Sequence, residues 1–158
     1  MAHQHPTGSF VALVTPMNGD GSIDLDGFKT LLDWHAENGT AAVLIMGSTG
    51  EVSMLTPEEK RQIIGATVKM RPRGMQLFYG CTGPSTAATI EMVRISRDAG
   101  ADGAIIAPPS YICAPNADIV DYVQEVLDST DLAIGFYNNP PRVKTDLHWS
   151  DILRLAEH

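Results

Sequence analysis

The chain has 158 residues, 44% of them apolar and 19% charged, which places it with single-domain globular proteins and excludes disordered and fibrous classes. Its 11 Lys and Arg residues against 19 Asp and Glu give a net charge of −8, and no basic cluster exceeds the Arg71-Pro72-Arg73 turn, so a nucleic-acid partner is excluded. No apolar run approaches the roughly 20 residues of a membrane span, and Met1 to Pro6 lacks a basic-then-apolar signal pattern, so a soluble cytoplasmic protein is the expectation.

Residues 1–7 read as an N-terminal extension. Gly8 to Thr15 is a short apolar run closed by Pro16 and predicts the first strand. After turn residues Asn18 to Gly21, Asp24 caps a helix whose Phe28, Leu31, Leu32 and His35 share one face, ending at Asn38-Gly39. A second strand, about Ala42 to Met46, runs into Gly47-Ser48-Thr49-Gly50-Glu51. Thr56-Pro57-Glu58-Glu59 is a capping box with proline at the first helical position, and predicts a helix to about Met70 with Ile63, Ile64, Thr67 and Val68 inward. Gln76 to Gly80 is the third strand. Ser85 or a neighbour caps the next helix, carrying Ile90, Met92, Val93 and Ile95 to Gly100. Gly103 to Ile106, a helix over about 117–128, and Leu132 to Phe136 follow. Tyr137 to Arg142 is then a loop, and a fifth helix begins near His148.

Strands thus recur roughly every 30 residues, each followed by a helix, and are continuously apolar, as in a parallel sheet buried on both faces. Five such βα units fit a doubly wound sheet or part of an eight-fold barrel; no Gly-x-Gly-x-x-Gly follows the first strand to favour a dinucleotide fold. The last helix runs to His158 with no capping residue or following strand, which predicts that the chain is the first part of a longer protein.

The loops after parallel strands are where such folds bind ligands. Gly47 to Gly50 offers close backbone approach and two hydroxyl donors, which suits a small anion, although a plain turn uses the same residues. Thr15, Ser48, Thr49, Glu51, Tyr111, Tyr137, Asn138 and Arg142 all follow strands, and together could bind a carboxylate and relay protons. Singly, each has a plainer reading: Tyr137 as a core-edge residue, Arg142 as a solvated loop charge, Glu51 as support for the next turn. The five histidines are scattered, with only His3 and His5 close in sequence, so no metal site is predicted. Ser48 lacks a nucleophile-elbow context. Lys29, Lys60 and Lys69 lie on predicted helices and Lys144 in a loop, leaving no buried amine as nucleophile. Cys81 and Cys113 form no disulfide framework or metal motif; both follow predicted strands, near one mouth of the fold.

With Gly47-Ser48-Thr49-Gly50-Glu51 and Tyr137-Asn138-Asn139-Pro140-Pro141-Arg142 in view, the chain resembles the dihydrodipicolinate synthase/N-acetylneuraminate lyase family. Val11 to Pro16, Leu55 to Glu59 and Ala99 to Gly103 extend the resemblance over nearly the whole chain. It implies an α/β fold, a (β/α)8 TIM barrel of which residues 8–158 supply the first five βα units. It further implies a class I aldolase mechanism without cofactor or metal, in which pyruvate forms a Schiff base with a lysine on strand six. Thr49, with the backbone of Gly47 and Gly50, would hold the pyruvate carboxylate. Ser48, Tyr137 and Tyr111 would relay protons, and Arg142 would receive the carboxylate of an aldehyde co-substrate. In dihydrodipicolinate synthases the counterpart of Tyr111 reaches into a neighbouring subunit, and a homotetramer is implied.

Three positions depart from the family pattern. Ser48 stands where synthases more often carry threonine and lyases serine. Residues 109–115 differ from the usual paired-tyrosine stretch and are one residue longer, and Val143 replaces a threonine. Arg142 favours a synthase-like acceptor, while other pyruvate aldolases, such as N-acetylneuraminate or keto-deoxy sugar acid lyases, stay open. A strand-six lysine would lie beyond His158, so the 158-residue chain is expected to hold pyruvate without activating it. Two competing readings are a non-catalytic keto-acid-binding half domain and a flavodoxin-like protein binding phosphate at Gly47 to Gly50.

Overall fold

A computed structural model describes residues 6–109 and 112–157; Tyr111, His3 and His5 lie outside them. Strands and α-helices alternate as far as β5, which two helices follow: β1 (Ser9–Ala12), α1 (Leu25–Glu37), β2 (Thr40–Ile45), α2 (Pro57–Lys69), β3 (Gln76–Gly80), α3 (Thr86–Ala99), β4 (Gly103–Ile106), α4 (Asn116–Asp128), β5 (Ala133–Phe136), α5 (Pro140–Val143) and α6 (Trp149–Ala156). Local chemistry sets the helix starts. The Asp24 carboxylate accepts from the Gly27 N–H, and Ser85 from the Ala88 N–H. Thr56 and Glu59 close the reciprocal capping box at α2. Gly39 and Gly100 end α1 and α3 with positive φ, a conformation that costs glycine little.

The sheet is fully parallel in the order β1-β2-β3-β4-β5. Right-handed crossovers between strands laid down in sequence put every helix on the same face. That order has no reversal point, which sets it apart from doubly wound and flavodoxin-like sheets. It is the build of an α/β barrel, with five consecutive βα units.

The register fixes which side chains face the helices. Val11, Val43, Leu77 and Tyr79 follow one another across the first three strands, then Ala104 and Ile134. Val43, Leu77, Tyr79 and Ala104 are wholly buried there with Phe28 and Leu32 of α1, Ile63 of α2 and Val93 of α3. Truncating any one of these large aliphatic side chains would cost about 2–5 kcal/mol, since such a layer cannot collapse fully around the hole.

The alternate residues form the opposite, concave face. Leu44, Phe78 and Gly103 are aligned there, as are Ile105 and Gly135. Continuous apolar strands had predicted burial on both faces, but this face carries no helix: Phe10 is 42% exposed and Leu44 and Ile105 are half-buried. Glycines alternate with bulk for room. A Cβ on Gly103 would stand 2.2 Å from the Phe78 ring, and one on Gly135 2.5 Å from Ile105. Phe10 tilts onto Phe78 with ring centroids 5.0 Å apart.

Four expectations are corrected. β1 ends at Ala12, three residues short of Thr15, which lies in the following loop. Residues 140–143 form the one-turn helix α5, because two prolines preset its first turn and Asn139 accepts from the N–H groups of Arg142 and Val143. On α3 the fully buried stripe is Thr89, Val93 and Ser96, with Ile90, Met92 and Ile95 half-buried beside it. Cys81 is not at a mouth of the fold: it is fully buried and its Sγ lies 3.3 Å from the Ser96 hydroxyl under α3. Burial pushes the Cys81 thiol up to about 12, so it stays protonated.

Candidate active site

Everything at the carboxyl end of the sheet starts from Met46. It takes a left-handed conformation, φ 59°, while almost wholly buried. Such a conformation costs a non-glycine residue about 1–2 kcal/mol. Its carbonyl turns across β3, where only glycine fits: a Cβ on Gly80 would stand 2.0 Å from that oxygen. The chain then folds into two overlapping tight turns. Gly50 N–H donates to the Gly47 carbonyl at 3.0 Å and Glu51 N–H to the Ser48 carbonyl at 3.2 Å. Glu51, again left-handed at φ 55°, hands the chain to a 3-10 turn over Val52–Met54. Its carboxylate caps nothing there.

These turns occupy the N–H groups of Gly50 and Glu51 but not those before them, as at any helical start. Neither the backbone N–H nor the hydroxyl of Ser48 or Thr49 has a partner among the described residues, and both side chains are exposed. Four donors on exposed residues are therefore left without a partner among the described residues just after β2. The loop is anchored from below: the buried Thr15 hydroxyl donates to the Gly50 carbonyl at 2.6 Å. A Cβ at Gly50 would press on the Leu13 carbonyl and Thr15 Oγ1, each at 3.1 Å. Thr15, grouped with the ligand-binding residues on sequence alone, is a strut of the loop in the structure.

Tyr137 leaves β5 with its N–H donating to the Ile106 carbonyl at 2.8 Å, so β4 sets its height at the same end of the sheet. Its ring is 42% exposed, and the Asn139 side-chain amide donates to its phenol oxygen at 2.5 Å. Among the described residues no hydrogen bond joins Tyr137 to Ser48. What gathers the two ends of the sheet is a hollow of about 230 Å³ on the concave face. Phe10, Ala12 and Leu44 line it from β1 and β2, and Ile105, Gly135 and Tyr137 from β4 and its neighbour. A flat five-stranded sheet could not share one hollow between its first and last strands; this one curls.

Arg142 sits exposed on α5 and makes no ion pair among the described residues. The segment bearing it is fastened at both ends. Asn138 donates to the Asp146 carboxylate at 3.2 Å and accepts from the Leu147 N–H, while Asn116 of α4 donates to the Asp146 carbonyl at 2.8 Å. The bonding roles of Asn116, Asn139 and Asp146 escaped the sequence reading, because a polar side chain announces no partner until the fold supplies one. Among the described residues no three His, Cys, Asp or Glu side chains gather where a metal could bind, and no helix is long and apolar enough to cross a membrane.

Comparison with known proteins places this arrangement. A sequence profile of the Dihydrodipicolinate synthetase family matches residues 5–158. A 4-hydroxy-tetrahydrodipicolinate synthase of Gluconacetobacter diazotrophicus is 36% identical over 151 residues, 96% of this chain and 51% of that protein. A dihydrodipicolinate synthase of Acinetobacter baumannii, solved with pyruvate, superposes with a TM-score of 0.92 at 33% identity, over 97% of this chain and 53% of that one. A prophage protein of the dihydrodipicolinic acid synthase family from E. coli K12, also in complex with pyruvate, gives 0.89 at 29% identity, over 94% and 50%. The chain spans about half the length of the curated relatives it matches.

Proposed function

Because the chain belongs to the dihydrodipicolinate synthetase family, we propose that it forms the pyruvate-binding part of a carbon–carbon lyase or synthase. The observation that carries this reading is a set of four donors on exposed Ser48 and Thr49 that have no partner among the described residues, at the same end of the sheet as Tyr137. Oriented N–H and O–H donors without internal partners are what a carboxylate needs. Pyruvate, found in two of the matched structures, supplies one.

In this reading Thr49 and the backbone of Gly47 to Gly50 hold the pyruvate carboxylate. A lysine from a sixth strand attacks the keto carbon, and loss of water gives the imine. Tyr137, with Ser48 and Tyr111, carries the protons that this dehydration and the later carbon–carbon step require. Arg142 receives the carboxylate of an aldehyde acceptor, as in a 4-hydroxy-tetrahydrodipicolinate synthase, within a cytoplasmic homo-oligomer such as a tetramer. Residues 8–158 then constitute the first five units of an eight-unit barrel, preceded by a short extension.

The test is an amide NMR titration of the 158-residue chain with pyruvate, phosphate and a nucleotide in parallel. Pyruvate should shift Ser48, Thr49 and Tyr137 signals while the other two leave them in place. A response to phosphate or nucleotide alone would replace the aldolase reading with a phosphate-binding one. Borohydride reduction with labelled pyruvate adds the covalent step. Efficient trapping on this chain would point to Lys144 or another present lysine as the amine.

A further inference from the structure

The Gly50 carbonyl occupies an unusual place in the donor loop. Gly47, Ser48, Glu51 and Val52 each accept a backbone N–H within the successive turns, but Thr49 and Gly50 do not, and of these two only Gly50 accepts from a side chain among the described residues. Among the described residues its one donor is the Thr15 hydroxyl, 2.6 Å away and buried with it. That carbonyl belongs to the peptide entering Glu51, whose left-handed conformation turns the chain into the 3-10 segment. Gly50 has no Cβ to restrain this peptide, and one placed there would crowd the Leu13 carbonyl and Thr15 Oγ1, each at 3.1 Å.

We infer that Thr15 is a positioning residue for ligand binding: its hydroxyl fixes the Gly50–Glu51 peptide and thereby holds the Ser48 and Thr49 donors in one orientation. The ligand it serves rests on the pyruvate reading above; the strut itself does not. A buried acceptor left without a donor is the kind of penalty a loop relieves by rotating the peptide toward water. Rotation here would break the Glu51 turn and redirect the two N–H groups that precede it. The role belongs to the hydroxyl, so a β-branched residue of the same shape is no substitute.

The experiment compares Thr15→Val, which keeps the shape and removes the hydroxyl, with Thr15→Ser, which keeps the hydroxyl. Amide shifts and hydrogen exchange of residues 48–52 are read without ligand, and pyruvate affinity is then measured on the same samples. Thr15→Val should move the 48–52 amides, speed their exchange and weaken pyruvate roughly tenfold, the loss from one disoriented donor pair. Thr15→Ser should stay within about twofold of wild type on both measures. Amides of α3 and α4 serve as the folding control, and Thr15→Ala replaces the valine variant if that one does not fold. Unchanged loop amides in Thr15→Val overturn the inference, as does equal disturbance by both variants or a moved loop with undiminished pyruvate binding. If wild type binds no pyruvate, the functional reading fails, and the ligand-free loop amides still decide whether Thr15 is the strut.

Discussion

Asp102 and Leu77 are bonded in both directions: the Asp102 carboxylate accepts from the Leu77 N–H at 2.8 Å, and the Asp102 N–H donates to the Leu77 carbonyl at 3.0 Å. The pair stitches the amino end of β3 to the turn before β4, the end of the sheet opposite the donor loop. Arg71 completes it with an ion pair to Asp102 at 3.1 Å and a bond to the Gly100 carbonyl. Residues at this end of an α/β barrel act on stability rather than chemistry. Asp102→Ala would leave the Leu77 N–H, on a wholly buried residue, without its acceptor and the half-buried Arg71 guanidinium without its carboxylate, so urea unfolding should show a loss of about 2–3 kcal/mol. Ligand affinity at the other end should be unchanged.

Two glycines should respond oppositely to alanine. Gly80→Ala drives a Cβ to 2.0 Å from the Met46 carbonyl, a backbone atom that can yield only by shifting the Met46–Gly47 peptide. The expected result is a destabilisation of about 3 kcal/mol or more, with altered amide signals in 47–51. Gly65 lies inside α2, and a Cβ there meets nothing within 4 Å. Gly65→Ala should therefore raise stability by about 0.5–1 kcal/mol, through the lower backbone entropy of the unfolded chain. Denaturation midpoints of the two variants, read against wild type, check both signs.

Most of the scaffold was legible in the sequence because its signals are local. The Thr56–Glu59 box, the Asp24 and Ser85 caps and the Gly39 and Gly100 ends each rest on residues within a turn of one another. The placement of Ser48, Thr49 and Tyr137 just after β2 and β5 was legible as well, since strand ends can be read from apolar runs. What was hidden depends on partners far apart in sequence. Thr15 meets Gly50 across 35 positions, and Asn116 meets Asp146 across 30. The open concave face was hidden too. An apolar strand looks the same whether its second face meets helices or the inside of a curled sheet; only strand order distinguishes them.

Raising the pH should expose the buried hydroxyl and thiol layer beneath the helices. Burial pushes Tyr79, Tyr122 and Cys81 each up to about 12, the hydroxyls of Thr67 and Thr89 and that of Ser96 opposing the shift without cancelling it. Groups raised in the folded state contribute stability that is whole below their unfolded values, near 9 for the thiol and 10 for the phenols, and that disappears as pH passes about 12. Urea midpoints should thus hold level to about pH 9 and then fall steeply. A thiol reagent at neutral pH should modify exposed Cys113 quickly and Cys81 only after unfolding. Rapid reaction of both thiols in native conditions would mean that α3 lifts readily from the sheet.

Binding and proton transfer can be separated at the candidate site. Thr49 contributes two of the four donors that lack a partner among the described residues, so Thr49→Ala, which keeps the N–H and removes the hydroxyl, should weaken pyruvate about 5–10-fold. Ser48→Ala should weaken it less if that hydroxyl serves the relay rather than the carboxylate. Tyr137→Phe keeps the ring that lines the hollow and loses only the phenol oxygen, which Asn139 holds from outside. Pyruvate affinity should then stay within about twofold, because nothing in the carboxylate cradle has moved. In a full-length enzyme carrying the same substitutions, Thr49→Ala should raise KM, whereas Tyr137→Phe should lower kcat by about 100-fold or more, the usual contribution of a positioned acid or base. The reverse pattern, a Tyr137 variant that loses affinity and a Thr49 variant that loses only turnover, would exchange the two roles.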